Sequence, residues 1–174
     1  MIMQQQFAGL KIWLFASCLL ILSATVSADT PETVVKDWTL TDATGTTVNY
    51  YSDSRGSVSV ILFWATWCPF CRTLMPHLQI IADEFEASKV KFYALNVWED
   101  GDPQKYFREN GYTFRLLLMG DLVAEDYGVP GTPGLFVLDK NHRIVYLRRS
   151  GENDDDVEVA VREAIRLALA TDQK

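Results

Sequence analysis

Two cysteines separated by two residues, Cys68-Pro69-Phe70-Cys71, are the residues of this chain whose type and spacing do chemistry. A pair this close closes a tiny loop, so a disulfide between them removes little chain entropy and makes a poor structural staple. Its value is chemical: two thiols in reach of one another can exchange two electrons with a disulfide elsewhere. The run Val58 to Trp64 before the motif is aliphatic, β-branched and aromatic without clean alternation, which suits a strand buried on both faces. From Cys71 to Glu86, Leu74, Leu78, Ile81 and Phe85 fall at helical spacing. The cysteines thus lie where a buried strand hands over to a helix. Unpaired backbone N–H groups and the helix dipole favour negative charge at that point, so a thiolate at Cys68 is stabilised there. Cys71, about one turn further in, is placed to attack a mixed disulfide at Cys68. The expectation is Cys68 as nucleophile and the less exposed Cys71 as resolving thiol, with Pro69 and Phe70 setting geometry and potential.

A CxxC pair is also half of a zinc site, which needs two further ligands. Cys18 is the remaining cysteine and lies in an apolar leader, while His77 and His142 show no paired spacing, so no metal is expected. His77 reads as a solvated helix residue and His142 as a polar turn. Glu99-Asp100-Gly101-Asp102 reads as a solvated loop ending in a helix cap. Trp64 is expected in the core, and Trp67 at the rim of the thiol site.

The elements that must position these residues follow along the chain. Met1 to Lys11 carries one positive charge and no acid, Ile12 to Val26 is almost wholly apolar, and Val26-Ser27-Ala28 offers small residues for cleavage. Residues 1–28 are therefore expected to be a secretory signal peptide or an uncleaved amino-terminal anchor, and residues 29–174 one domain. Phe15 to Cys18 faintly resembles a lipobox, but the apolar run continues beyond it. Asp29 to Lys36 is a polar leader onto the domain. Trp38 to Leu40 and Thr46 to Tyr50 predict a hairpin around Asp42 to Gly45. Pro76 is expected to kink the helix after the thiols. Val90 to Val97 predicts a strand, Asp102 to Asn110 a helix closed by Gly111, and Phe114 to Met119 a strand. Leu122 to Tyr127 is expected to make one or two helical turns. Gly134 to Leu138 and Ile144 to Arg148 predict a second hairpin. Asn153 caps a last helix that opens on Asp154, Asp155 and Asp156. Strands alternating with helices give an α/β sandwich around a mixed sheet. The net charge of −7 argues against a nucleic-acid binder, which needs a basic patch.

Phe63-Trp64-Ala65-Thr66-Trp67-Cys68-Pro69-Phe70-Cys71 resembles the active-site segment of the thioredoxin superfamily. Pro76, five residues beyond the second cysteine, matches the proline of that family's kinked helix, and Gly131-Thr132-Pro133 resembles its cis-proline loop. More narrowly, Trp38 to Asp42 with Gly45, and the segment from Asn96 through Tyr127, resemble the amino-terminal hairpin and central insertion of the TlpA/ResA-like branch of exported proteins. The resemblance implies a thioredoxin-like fold and a thiol:disulfide oxidoreductase. In it the backbone of Thr132, beside a cis Pro133, pairs with an extended substrate segment; Trp67, read as a rim residue, is expected to touch substrate. It implies a periplasmic monomer, tethered or free, acting on disulfide-containing or dithiol proteins. Such a protein is recharged by a membrane electron donor, in settings that include cytochrome c maturation. No cofactor is expected, because the cysteines carry the electrons.

Two departures stand out. Thioredoxins carry a buried acid six residues before the first cysteine, where this chain has Leu62. Some members of the exported branch carry a glutamate three residues after the second cysteine, where it has Leu74. No acid/base residue is assigned. Other readings on the same fold are a disulfide oxidase or isomerase, a thiol peroxidase and a copper-binding assembly protein. The peroxidase wants a threonine three residues before its cysteine, where Ala65 stands and Thr66 is one place off. The copper protein uses a three-residue gap and a distal histidine.

Overall fold

The computed structural model describes residues 33–171. The expected signal or anchor over residues 1–28 lies outside the described residues. The elements in chain order are β1 (Thr39–Asp42), β2 (Thr47–Asn49), α1 (Tyr50–Asp53), β3 (Val58–Trp64), α2 (Pro69–Glu84), β4 (Val90–Asn96), α3 (Pro103–Asn110), β5 (Arg115–Leu118), α4 (Asp121–Asp126), β6 (Gly134–Leu138), β7 (Ile144–Leu147) and α5 (Asp154–Ala170). Among the described residues the strands form one seven-stranded sheet in the order β2-β1-β5-β4-β3-β6-β7. β3 pairs with β4 in parallel and with β6 antiparallel, so the sheet is mixed, as expected.

β3 is buried along its whole length because both its faces are covered. Val60, Leu62 and Trp64 point into one core with Leu74, Leu78 and Ile81 of α2 and Val161 and Ile165 of α5. Ile61 and Phe63 point into the other, with Trp38, Tyr50, Leu95 and Phe136. Alternate residues of one strand thus fill both layers of the sandwich, and the missing polar alternation in its sequence has this cause.

Helix termini follow the capping chemistry. Asn153 accepts from the Asp156 N–H at 2.9 Å and Asp102 from the Lys105 N–H at 2.9 Å. Gly111 closes α3 in the left-handed conformation, φ 70°. Pro76 lies inside α2, where its ring nitrogen leaves the Arg72 carbonyl without its helical donor.

Three local expectations are corrected. Helix α2 begins at Pro69, not Cys71, because Cys68 takes the cap position and a proline fits the first helical turn. The second strand of the first hairpin stops at Asn49, whose side chain accepts from Ser52 N–H at 3.0 Å and starts α1. The end of the polar leader is bound into the fold. Val34 bridges Arg143, Ile144 N–H donates to Thr33 O, Val35 N–H donates to His142 O, and Val35 is buried.

Candidate active site

The end of β3 runs through Ala65, Thr66 and Trp67 into Cys68, which caps α2. The Cys68 Sγ accepts from the Cys71 N–H at 3.2 Å, and the Cys68 N–H donates to the Ala65 carbonyl at 3.2 Å. The sulfur therefore takes a place that a serine or aspartate oxygen fills in other helices. Both thiols are free. The expected contrast in exposure is small: Cys68 is 1% exposed and Cys71 0%. What separates them is their surroundings. Burial, and next the hydrogen bond with Cys68, push the Cys71 thiol far above the ordinary thiol range, so it is held protonated.

Strand pairing brings the second motif to the cysteines. Gly134 lies opposite Phe63 in the β3–β6 ladder, so the residues before Gly134 face those after Phe63. The Thr132–Pro133 bond is cis. The Thr132 hydroxyl is buried beside the Cys71 thiol, and its contact with that sulfur works against the larger effect of burial. A cavity of about 510 Å³ opens beside this loop, lined by Phe70, Thr132, Pro133, Arg148, Ser150 and Glu152 among others. Phe70 is 66% exposed and Trp67 45% exposed, so two aromatic faces stand at the rim next to covered sulfurs. The Trp67 Nε1–H donates to the Trp98 carbonyl at 2.7 Å, which fixes the ring. Trp64 is fully buried against Phe107, as expected of a core residue.

Leu62 and Leu74, at the two places where the resemblance leads one to look for an acid, are buried in the same apolar core as Cys71. The Thr66 hydroxyl, one register step from a peroxidase threonine, turns instead to Glu99 at 2.5 Å.

Sequence reasoning missed three residues of the wider site. Glu99 is not a solvated loop acid: its carboxylate accepts from Thr66 N–H at 2.9 Å and Asn96 Nδ2 at 2.6 Å. Arg72 donates through Nε and Nη2 to the Thr66 carbonyl at 2.9 and 2.6 Å. Trp98, at φ 49°, carries the carbonyl that holds Trp67. No local sequence signal marked them: it is the parallel pairing of β3 and β4 that makes residues following Asn96 leave the sheet at the same end as residues following Trp64. The histidines are corrected too. His77 is not solvated, since its Nδ1 lies 2.6 Å from Glu158 and ties α2 to α5. His142 is no free turn residue: its ring stacks on Tyr51 at 4.1 Å, with a buried Nδ1 that lacks a partner. Burial lowers its pKa.

A mixed sheet sandwiched by helices, with a cysteine pair at a strand-to-helix junction and a cis-proline loop facing it, defines a thioredoxin-like protein. The comparisons agree. The chain belongs to the AhpC/TSA family, which it matches over residues 31–147. It is 30% identical over 127 residues to the thiol-disulfide oxidoreductase ResA of Geobacillus kaustophilus, spanning 70% of this chain and 71% of that protein. It is 24% identical over 161 residues to the protein of the same name from Halalkalibacterium halodurans, spanning 85% and 92%. Among solved structures it resembles a putative thiol:disulfide interchange protein DsbE from Chlorobium tepidum, with TM-score 0.69 and 27% identity over 79% of this chain and 96% of that one. The chain is a thiol:disulfide oxidoreductase of thioredoxin-like fold.

Proposed function

We propose that this protein reduces disulfides in exported proteins, with Cys68 as nucleophile and Cys71 as resolving thiol. The observation that carries the reading is the pair itself: the Cys68 sulfur caps α2 by accepting the Cys71 N–H, and the Cys71 thiol beside it is buried and held protonated. As a thiolate, Cys68 attacks one sulfur of a target disulfide. A mixed disulfide forms and the other target sulfur leaves as a thiolate. Cys71 then gives up its proton and attacks the Cys68 sulfur. The second target sulfur leaves, and Cys68–Cys71 remains as the disulfide. Two electrons have passed to the target, and no cofactor is required. Leu62 and Leu74 provide no base for Cys71, so the departing target thiolate or water takes its proton.

Trp67 and the Thr132–Pro133 loop flank the sulfurs and form the binding edge for an extended target segment, while Pro69 and Phe70 set geometry and potential. Residues 1–28 export the chain to the periplasm or anchor it there, with residues 29–174 as the working domain. A membrane electron donor restores the dithiol, and cytochrome c maturation is among the settings. The Thr66 hydroxyl is committed to Glu99 and Ala65 holds the place before it, which disfavours peroxide chemistry.

Insulin reduction by the full chain, driven by dithiothreitol, tests the reading. The native protein accelerates precipitation of the insulin B chain and Cys68→Ala does not. Equal activity of the two refutes the assignment. Equilibration with glutathione then gives the direction of electron flow: a potential near thioredoxin, about −270 mV, supports a reductase, and one near about −120 mV an oxidase.

A further inference from the structure

Glu99 lies in the connection between β4 and α3, outside the motifs that carry the thiols. Its Oε2 accepts from the Thr66 N–H at 2.9 Å and from Asn96 Nδ2 at 2.6 Å. Its Oε1 accepts from the Thr66 hydroxyl at 2.5 Å, the Gly101 N–H at 2.9 Å and the Asp100 N–H at 3.1 Å. The Thr66 carbonyl is held from the other side by Arg72. Thr66 is therefore gripped at its N–H, its hydroxyl and its carbonyl, two residues before Cys68. The grip leaves little room: a Cβ on Gly101 would lie 2.5 Å from the Thr66 hydroxyl. The same connection carries Trp98, whose carbonyl fixes the Trp67 ring and whose N–H donates to Asp121 at 2.8 Å.

An ionised carboxylate only accepts hydrogen bonds, and every group around this one donates. Burial works against its charge, but Thr66, Asn96 and Gly101 outweigh that and hold the Glu99 pKa below its usual value. Glu99 is thus a fixed anion with occupied lone pairs, not a proton carrier for Cys71. Its role differs from that of the acids missing at Leu62 and Leu74.

We propose that Glu99 is a positioning residue for thiol exchange: acting through Thr66, it fixes the Ala65–Trp67 approach so that the Cys68 sulfur and the Trp67 ring meet an incoming target in one geometry. The inference rests on the exchange reaction proposed above. Small displacements of a reacting sulfur lower rates steeply, which is why such a clamp has catalytic value.

The test uses the full chain with Glu99→Gln, Thr66→Val, the double variant, and Asp102→Ala as control. Glutamine puts an amide donor among donors. Asp102→Ala removes the cap of α3 on the same connection without touching Thr66. Three readouts are compared: kcat/KM for insulin reduction, the rate at which iodoacetamide modifies Cys68, and amide hydrogen exchange at residues 66–68. Glu99→Gln is expected to lower kcat/KM at least tenfold, to change the alkylation rate several-fold and to speed exchange at residues 66–68. Thr66→Val lowers kcat/KM about threefold, and the double variant is no worse than Glu99→Gln, because both act by one route. Asp102→Ala melts at lower temperature and keeps kcat/KM within twofold.

A kcat/KM for Glu99→Gln within twofold of the native value, or an equal loss in Asp102→Ala, overturns the proposal. If Glu99→Gln does not fold, an unaltered Thr66→Val overturns it. If the native chain reduces no protein disulfide, the exchange reading itself has failed. Hydrogen exchange and alkylation then decide the positioning alone, and native values for both in Glu99→Gln overturn it.

Discussion

The Cys71 N–H donates to the Cys68 sulfur across 3.2 Å, so the first cysteine of the pair serves α2 as its cap while the second begins its interior. One hydrogen bond therefore links the start of a helix to the electron count of the site: oxidation to the disulfide replaces a capping thiol by a bonded sulfur.

The first consequence concerns reactivity. Burial and the Cys68 contact keep the Cys71 thiol protonated well above the ordinary thiol range, and only the thiolate reacts quickly. Iodoacetamide at pH 8 is expected to modify Cys68 in the reduced protein and to leave Cys71 untouched until urea unfolds it. Peptide mass mapping over time checks this, and equal labelling of both cysteines would contradict it.

Trp67 lends itself to a rim test. Its ring is half exposed and fixed through one hydrogen bond to Trp98, so Trp67→Ala is expected to change stability by no more than about 1 kcal/mol. Insulin reduction should fall several-fold, while reduction of a small aromatic disulfide stays within twofold. Equal losses on both substrates would remove Trp67 from the binding edge.

Acid stability follows from a charge cluster remote from the thiols. The Thr44 hydroxyl, then Thr46 and Arg115, hold the Asp42 carboxyl well below the usual range. Burial opposes the charge of Asp53, but Tyr93, Lys91 and Arg115 outweigh it. Both folded pKa values lie below the unfolded value of about 3.9. Their stabilisation is therefore complete above that value and lost as pH falls through the folded values. The urea midpoint is expected to hold from pH 7 to 5 and to drop steeply below pH 4. Arg115→Met, which strips the shared partner from both acids, should lower the midpoint at pH 7 and flatten the acid drop.

Leu74 tests the apolar side of the resolving thiol. It is fully buried in the core beneath α2, and an acid there would have no partner. Leu74→Glu is expected to lower stability by roughly 3 kcal/mol, read from urea unfolding. A variant as stable as the native chain would mean that water or a polar group reaches this position.

The strand-to-helix junction at Cys68 was legible because local signals agreed. An unalternating apolar strand and a helical apolar stripe both pointed to it, while the expectation of a helix from Cys71 overlooks the proline that opens the first turn of α2; Asn153 with three following acids marked α5. Glu99 was not legible. Its value comes from Thr66, 33 positions away, and depends on the β3–β4 register that sets Trp64 opposite Asn96. A charged run gives no sign of which of its members is turned inward. His77 and His142 failed for the same reason, since Glu158 and Tyr51 reach them only through packing of distant elements. The short α1 was masked by β-prone residues, while the Asn49 cap that starts it lay inside the expected strand.

The most direct measurement is the mixed disulfide itself. Cys71→Ala and Cys68→Ala variants of the full chain are reacted with a disulfide-bonded protein such as insulin and separated without reductant, and the adducts are identified by mass spectrometry. The expected result is a stable adduct through Cys68 in Cys71→Ala and none in Cys68→Ala. Adducts through Cys71 alone, or none in either variant, would contradict the division of labour between the two sulfurs.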